Sequence, residues 1–184
     1  GKDIILGNAL VDMYAKCGAL VEAQEVLNEL LIQDVVPWTS LVSGYVQYEQ
    51  DEEALNCLET MQQAGISPNP ITFICTLKAC SGAVCLGHGR RIHQQVVESG
   101  FGMDVYLGNA LIDMYGDCGF LDQAQRVFDN LPEQDIISWN VLISGYVKHE
   151  HPREALICFE TMWVKAKWEI QNILSRVGHF MMFE

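Results

Sequence analysis

The 184-residue sequence predicts an all-α solenoid of about ten helices, and three observations favour this fold class. Residues 1–61 agree with residues 102–162 at about 33 of 61 positions without a gap. The resulting 101-residue period subdivides into pieces of 31, 35 and 35 residues, each long enough for two short helices. Apolar residues recur at helical spacing in every piece, and strand-like alternation is absent. Because such a helix pair cannot bury its own apolar stripe, neighbouring pairs must stack.

The first piece predicts two helices separated by a glycine. One apolar stripe follows the spacing i, i+3, i+4, i+7 and consists of Leu10, Met13, Tyr14 and Cys17. Gly18 then offers the left-handed conformation that closes a helix. The second stripe consists of Leu20, Ala23, Val26, Leu27 and Leu30.

The second and third pieces repeat this plan. In the second piece we expect helices over 38–46 and 54–61, the latter ended by Gly65 and Pro68. In the third piece the pattern predicts a helix over 73–80, a break at Ser81-Gly82, and a second helix over 86–97 that stops at Gly100.

The repeat pattern ends after Met162, and the tail 163–184 differs from it. Apolar residues at helical spacing still predict a helix there, namely Trp168, Ile170, Ile173, Leu174 and Val177. We expect this tail to cap the exposed apolar face of the last repeat.

Composition and charge exclude several classes of protein. The hydrophobic content of 49% is too high for a disordered chain. No apolar run approaches the roughly 18 residues that cross a bilayer, so we expect no membrane partner. The 11 basic and 24 acidic residues give a charge of −13, which excludes binding of nucleic acid by a general cationic surface. Because the chain starts at Gly1 and opens with no targeting segment, we expect it to be a piece of a longer protein.

The repeat contains two distinctive segments, Gly-Asn-Ala-Leu-Val-Asp-Met-Tyr-Ala-Lys-Cys-Gly at 7–18 and Ile-Ser-Trp-Asn-Val-Leu-Ile-Ser-Gly-Tyr at 137–146. Both resemble plant pentatricopeptide repeat (PPR) proteins, and the mixture of motif lengths is similar to their PLS subclass, here without the carboxy-terminal E/DYW region. The resemblance implies a right-handed α-solenoid of five motifs: short motifs at 4–34 and 105–135, P motifs at 35–69 and 136–162 (incomplete), and an L motif at 70–104.

The resemblance also implies which residues contact RNA, one base per motif. In this family the fifth and last residues of a motif specify the base. Here these residues are Asn8 with Asp34, Thr39 with Asn69, Ile74 with Asp104, Asn109 with Asp135, and Asn140. The second residue of each motif would sandwich the bases, and these residues are Ile5, Val36, Ile71, Tyr106 and Ile137.

The family's code pairs Asn-Asp with U and Thr-Asn with A, which implies a single-stranded RNA footprint 5′-UANUY-3′, where N is any base and Y a pyrimidine. Ile74 departs from the code because its side chain cannot hydrogen-bond a base. The residues alone also allow purely structural roles. On that interpretation Asn8 and Asn109 cap helices, Asp34 and Asp135 begin turns, and Thr39 is a hydroxyl satisfied by its own helix.

Catalytic and metal-binding alternatives lack the residues they need. A zinc deaminase site requires His-x-Glu and Cys-x-x-Cys, and neither occurs. Cys75, Cys80 and Cys85 lie near His88 and His93, but spacings of five do not place the cysteines on one helical face. The other four cysteines are predicted to be small buried core residues: Cys17, Cys57, Cys118 and Cys158. We therefore predict no enzyme activity, metal, cofactor or small-molecule substrate.

Two functions remain open. The leading one is sequence-specific binding of single-stranded RNA, within a mitochondrial or chloroplast RNA-processing or C-to-U editing factor that works with other processing or editing proteins. The alternative is a protein-interaction scaffold with weak or no RNA binding. The acidic charge favours the scaffold, and the base-specifying residues favour the RNA binder.

Overall fold

The computed structural model describes the backbone of residues 2–30 and 34–180, and the side chains of residues 4–30 and 34–168. Within these ranges the chain forms ten α-helices and no strand, which confirms the predicted all-α repeat architecture. The helices are α1 (Lys2–Lys16), α2 (Leu20–Glu29), α3 (Val35–Gln47), α4 (Asp51–Gln63), α5 (Pro70–Gly82), α6 (Leu86–Ser99), α7 (Val105–Asp117), α8 (Leu121–Asp129), α9 (Ile136–Lys148) and α10 (Pro152–Phe180).

The ten helices pack in two rows. Each odd-numbered helix contacts the next odd-numbered helix, so the odd helices form a continuous row. Each even-numbered helix packs against its own odd partner, and α2 to α8 also pack against the odd helix that follows. Within the described residues the even helices have no comparable packing with one another. A stack of this kind curves toward the row whose helices touch, so the odd helices line its concave side.

The core lies between the two rows and runs along the stack. Leucines that are less than 2% exposed occur in five successive helix pairs along the stack, namely Leu27 in α2, Leu41 in α3, Leu77 in α5, Leu111 in α7 and Leu142 in α9. Each is buried by residues of its own helix pair together with those of a neighbouring pair. The hydrophobic effect therefore holds the stack together along its length rather than at one centre.

Adjacent odd helices touch through small residues. A Cβ atom placed on Gly44 in α3 would lie 2.9 Å from the Cβ of Ala15 in α1 and 3.2 Å from the Ala15 carbonyl oxygen. At the equivalent contact between α9 and α7, a Cβ on Gly145 would lie 3.2 Å from the Cα of Gly116. The helices approach this closely only because neither member of each pair has a large side chain.

The helix ends follow the predicted glycines, with one difference. Gly18 and Gly65 have φ angles of +78° and +77°, the left-handed conformation that closes α1 and α4. The predicted break at Ser81-Gly82 is wrong by about one turn, because α5 continues through Gly82. The chain instead turns at Val84, whose φ is +51°, so a β-branched residue takes the conformation expected of a glycine.

The last helix continues well beyond the repeat. α10 runs without interruption from Pro152 to Phe180, whereas its counterpart α4 ends at Gln63. Ala166 stands where α4 is followed by Gly65, so the residue that would end the helix is missing. Trp163 and Trp168 are exposed, so the described start of the tail does not cover the last repeat. The other tail side chains expected to cap it, from Ile170 to Val177, lie outside the described residues.

The cysteines confirm the core prediction only in part. Cys57 and Cys158 are buried, and burial raises the pKa of the Cys57 thiol to about 12. Cys118 is half-buried beside the carbonyl oxygen of Cys80. The prediction is wrong for Cys17, which is exposed because no preceding motif covers it. None of the helices in the described part of the chain combines the length and apolar character needed to cross a bilayer.

The close contact at Gly44 predicts opposite results for one substitution at two glycines. Gly87→Ala in α6 adds a Cβ that meets nothing within 4 Å, so the helix gains up to about 1 kcal/mol of stability. Gly44→Ala forces α1 and α3 apart and lowers the free energy of unfolding by about 1 to 3 kcal/mol. Urea denaturation of the two variants measures both values. Equal gains in both variants would contradict the close packing of the odd helices.

Candidate nucleic-acid interface

An exposed apolar side chain stands near the start of every odd helix. These five side chains occupy the second position of the five predicted motifs, and each is at least 50% exposed: Ile5, Val36, Ile71, Tyr106 and Ile137. Leaving a row of large apolar side chains in water contributes nothing to folding. Such a row at the mouth of a concave surface is typical of a binding site.

The last residues of the predicted motifs cap the odd helices that follow. The Asp34 carboxylate accepts a hydrogen bond from the backbone N–H of Val36 at 3.0 Å, and the Asp104 carboxylate accepts one from Leu107 N–H at 2.8 Å. Each therefore satisfies a free donor in the first turn of a helix. The same role falls to Asn69 at the start of α5 and to Asp135 at the start of α9. Asp34 and Asp135 thus act as helix N-caps.

The side chains of the fifth and last residues lie close together in two of the motifs. The side-chain amide of Asn8 donates to the Asp34 carboxylate at 3.4 Å, although the two residues are 26 positions apart. The side chain of Asn109 approaches Asp135 in the equivalent place and contributes to lowering the pKa of its carboxyl group. Asn8 and Asn109 lie inside α1 and α7, so their predicted role as helix caps is wrong. The Oδ1 atoms of both asparagines are buried without a hydrogen-bond partner among the described residues.

In the second motif, Thr72 lies between the two base-specifying residues, Thr39 and Asn69. Thr39 Oγ1 donates to the carbonyl of Val35 at 2.8 Å, which is the satisfied hydroxyl that the residues alone allowed. Thr39 Oγ1 also lies 2.7 Å from Thr72 Oγ1, and Thr72 Oγ1 lies 3.0 Å from Asn69 Oδ1, so the single Thr72 hydroxyl proton is donated to one of these two acceptors. Sequence reasoning missed Thr72, whose only signal was its place three residues after an asparagine cap.

Two grooves between the odd helices collect these side chains. A groove of about 330 Å³ lies between α1, α3 and α5, and Val36, Thr39, Asn69 and Ile71 are among its lining residues. A second groove of about 260 Å³ lies between α5, α7 and α9. It is lined by Ile74, Lys78, Tyr106, Asn109, Ala110, Asp113 and Val141. Asp104 and Asn140 are exposed beside these grooves.

Charged residues follow the base-specifying positions along the odd helices, and sequence reasoning missed them as a set. They stand four and eight residues after the fifth position of a motif. Lys16 pairs with Asp12 at 2.7 Å, and Lys148 pairs with Asp117 at 2.6 Å. Desolvation raises the pKa of Asp113, and the Asp117 carboxylate adds to this effect while Lys148 and Lys78 oppose it.

The net negative charge of the chain lies outside the odd helices, in the even helices and the connecting segments. None of the glutamates lies in an odd helix, and the odd helices hold four lysines against four aspartates. Acidic residues instead concentrate in the even helices, for example Asp51, Glu52 and Glu53 in the first turn of α4. The odd helices are therefore neutral in sum, but three aspartates that cap them, Asp34, Asp104 and Asp135, add negative charge to the concave row. In the part of the chain that the structure describes, no three His, Cys, Asp or Glu side chains are placed to hold a metal ion.

Comparison with known proteins defines the class of protein to which this stack belongs. A model of the PPR repeat matches residues 8–34, 109–136 and 137–165, and a model of the PPR repeat family matches residues 33–82. Together these matches cover more than half of the chain, so the chain belongs to the PPR repeat family.

The chain is similar to plant proteins, several of which are named as mitochondrial or chloroplastic. A putative mitochondrial pentatricopeptide repeat-containing protein of Arabidopsis thaliana is 43% identical over 159 residues, which are 86% of this chain and 25% of that protein. A chloroplastic pentatricopeptide repeat-containing protein of the same plant is 42% identical over 155 residues, 84% of this chain and 25% of that protein. The chain thus spans about a quarter of the length of these relatives.

Solved structures show the same fold. The maize pentatricopeptide repeat protein PPR10, in complex with an 18-nucleotide psaJ RNA element, matches with a TM-score of 0.70 and 23% identity, over 88% of this chain and 25% of that one. The nuclear proteinaceous RNase P 2 of Arabidopsis thaliana matches with a TM-score of 0.65 and 10% identity, over 86% of this chain and 37% of that one. At these identities the likeness concerns the fold alone.

The cap at α9 predicts a dependence of stability on pH. Hydrogen bonds from the backbone N–H and hydroxyl of Ser138, and from Asn109, lower the pKa of Asp135. The ionised cap therefore stabilises the folded chain fully above about pH 4, and this contribution disappears as the pH falls through the lowered pKa. Asp135→Asn keeps a cap but cannot titrate. The stability advantage of the wild type over this variant should therefore shrink between pH 7 and pH 3.

Urea denaturation across that pH range tests the cap against a matched variant. Glu25→Gln removes an exposed carboxylate from α2 that has no partner in the described part of the chain. Its difference from the wild type should change less with pH. A constant difference between the wild type and Asp135→Asn would show that the Asp135 carboxylate contributes nothing as an ion.

Proposed function

We propose that the chain binds single-stranded RNA along the odd-helix face, with one base for each motif. The observation that carries this proposal is the hydrogen bond from Asn8 to Asp34, with the equivalent approach of Asn109 to Asp135, next to exposed apolar side chains. Folding alone does not require the amides, because the carboxylates already cap helices. Membership of the PPR repeat family and the complex of PPR10 with an RNA element support the same proposal.

The groove geometry suggests how a base is held. Val36 of α3 and Ile71 of α5 line the larger groove together with Thr39 and Asn69. A base inserted there has apolar contacts on both faces and polar groups at its edge. In the first and fourth motifs a uracil can exchange the Asn–Asp hydrogen bond for bonds to its own edge. Its N3–H matches the acceptor oxygens of the exposed Asp34 and Asp135 carboxylates.

The charge distribution allows this mode of binding but limits its strength. Lys16, Lys78 and Lys148 lie along the odd row and offset part of the negative charge of its capping aspartates. Three lysines, two of them already paired with aspartates, supply few phosphate contacts. Stacking and base-edge contacts must therefore provide most of the binding energy.

We infer a role in binding rather than catalysis. The chain would hold a transcript in a mitochondrion or chloroplast while a partner performs the processing or C-to-U editing. The organelle assignment rests on the mitochondrial and chloroplastic relatives, and the PLS subclass rests on the motif lengths. The scaffold alternative is favoured by the acidic even helices, which present a charged surface for basic proteins.

Short labelled RNAs test the proposed footprint. We expect tighter binding to an RNA containing UANUY than to a scrambled RNA of the same composition, measured by fluorescence anisotropy. Because few counterions are released, the slope of log K against log salt should be smaller in magnitude than about 2. The absence of any sequence preference at low salt would contradict RNA recognition and favour the scaffold.

Exchange of one residue pair tests the code itself. Replacing Asn109 by Thr and Asp135 by Asn reproduces the pair of the second motif, and Asn69 shows that asparagine caps the following helix well. The preference at the fourth base should change from U to A, with roughly a tenfold change in the ratio of affinities. Competition anisotropy with RNAs that differ only at that base measures the ratio.

A matched variant separates base recognition from general effects of the same substitutions. Asn28→Thr with Asp129→Asn makes the same chemical changes on α2 and α8, where both residues are exposed. This control should keep the preference for U. An unchanged preference in the Asn109 and Asp135 variant would exclude a reading role for this pair.

A further inference from the structure

The ninth residue of each motif lies on the same face of its odd helix as the fifth residue, one turn further along. In four of the five motifs this ninth residue lines one of the two grooves between the odd helices, and these residues are Asp12, Ser43, Lys78 and Asp113. All four side chains are polar. The grooves therefore offer a bound base a second polar position next to the base-specifying residue.

Lys78 differs from the other two lysines along the odd helices. Lys16 and Lys148 form ion pairs with aspartates at 2.7 Å and 2.6 Å. Among the described side chains Lys78 forms no ion pair, and it is exposed. Its charge acts on the Asp113 carboxylate in the same groove without pairing with it. The ammonium group of Lys78 therefore has hydrogen-bond donors to offer to a ligand.

The third motif lacks a polar side chain at its fifth position, where Ile74 stands. Ile74 and Lys78 line the same groove as Tyr106, one of the apolar side chains that would hold the third base. Side chains of a helix tilt toward its N-terminus, so the Lys78 side chain leans toward Ile74. Its flexible four-carbon stem can then bring the ammonium group to the edge of a base stacked on Tyr106.

We propose that Lys78 specifies the third base and that this base is guanine. The inference rests on the proposed function, because it assumes that single-stranded RNA lies along the odd helices. It replaces the unspecified third base of the footprint and gives 5′-UAGUY-3′. Lys78 thus supplies the hydrogen bond that Ile74 cannot make.

The donor and acceptor groups of the third motif match the edge of guanine. Lys78 only donates, whereas the Asp104 carboxylate only accepts. Asp104 is exposed and takes one hydrogen bond from Leu107 N–H, so it can accept another. Guanine presents the acceptor O6 next to the donor N1–H. Adenine and cytosine present an amine donor next to a ring-nitrogen acceptor, which is the reverse order.

Uracil is the second choice of this arrangement. It presents an acceptor next to a donor in the same order as guanine, but it has a single ring. Guanine has a larger face to stack against Ile71 and Tyr106, and it extends further toward Lys78. We therefore expect the order of affinities to be guanine, then uracil, then adenine and cytosine.

A phosphate is a poorer ligand for Lys78 than a base. Asp113 lies in the same groove, and its carboxylate repels a phosphate but not a neutral base. Ile74, Tyr106 and Val141 make the rest of the lining apolar, which suits the face of a base. The surroundings of Lys78 therefore favour contact with a base edge.

Four labelled RNAs that differ only at the third base of the footprint test the proposal by fluorescence anisotropy. The wild type should bind the guanine RNA roughly tenfold more tightly than the adenine and cytosine RNAs. Lys78→Met keeps the apolar stem but has no donor, and should bring the four affinities to within about twofold of one another. Lys78→Arg keeps the donors and should retain the preference for guanine. Circular dichroism establishes that the variants remain helical.

Two controls distinguish recognition of the third base from other roles. Lys148→Met removes a lysine of the odd row outside the third motif, so it should leave the preference at the third base unchanged. An RNA altered only at the fourth base measures recognition by the neighbouring motif. A preference for U at the fourth base with none at the third would overturn this inference alone. The absence of preference at both bases would overturn the proposed function as well.

The form of the loss in Lys78→Met separates a base contact from a phosphate contact. Removal of a phosphate contact weakens binding to all four RNAs by the same factor and keeps their order. That result would overturn the assignment of Lys78 to the base. Loss of the guanine preference in Lys148→Met to the same extent as in Lys78→Met would also overturn it.

Discussion

A pair of helices this short cannot bury its apolar stripe alone, and the whole molecule depends on neighbours to do so. The clearest case is the pair Leu6 and Leu107, which are the same residue in two copies of one sequence repeat. Leu107 is buried because a motif precedes it, whereas Leu6 is exposed. Full burial of such a side chain is worth about 1.5 to 3 kcal/mol. Each interior motif therefore derives much of its stability from contacts with neighbouring motifs. The folding of one helix pair thus favours the folding of the next.

The last residue of each motif combines a structural role with a proposed recognition role. Asp135 caps α9 through Ser138 and also receives the amide of Asn109. This double use restricts the residues that can stand there, because only short side chains with an oxygen acceptor cap a helix well. Asp and Asn meet both demands, and all four described members of this set are one or the other. Because the residue at this position must also stabilise a helix, few residue types are available there to recognise a base.

The sequence predicted the helices well because apolar spacing and closing glycines are local properties. The prediction failed where the burial of a residue depended on a neighbouring motif. It also failed where the length of a helix depended on the absence of a closing glycine. Cys17 was expected in the core, but its burial depends on a preceding motif that does not cover it. The length of α10 depends on Ala166, which permits a helix without requiring one. At the candidate site, the residues alone suggested that Asp34 begins a turn, which is close to its observed role as a helix cap. The contact of Asn8 with Asp34, and that of Thr39 with Thr72 beside Asn69, join residues that are distant in sequence. They could therefore be found only from the three-dimensional structure.

The glycine contacts between odd helices have a consequence for distance along the groove. Helix axes that approach through Gly116 and Gly145 lie at the short end of the usual range of about 8 to 10 Å. That separation is also the step from one row of base-facing side chains to the next. A single bulky residue at such a contact would lengthen one step and displace every later position relative to a strand of fixed nucleotide spacing. These glycines therefore set the spacing between successive base-facing positions, although in the proposed binding mode they touch neither a base nor a phosphate.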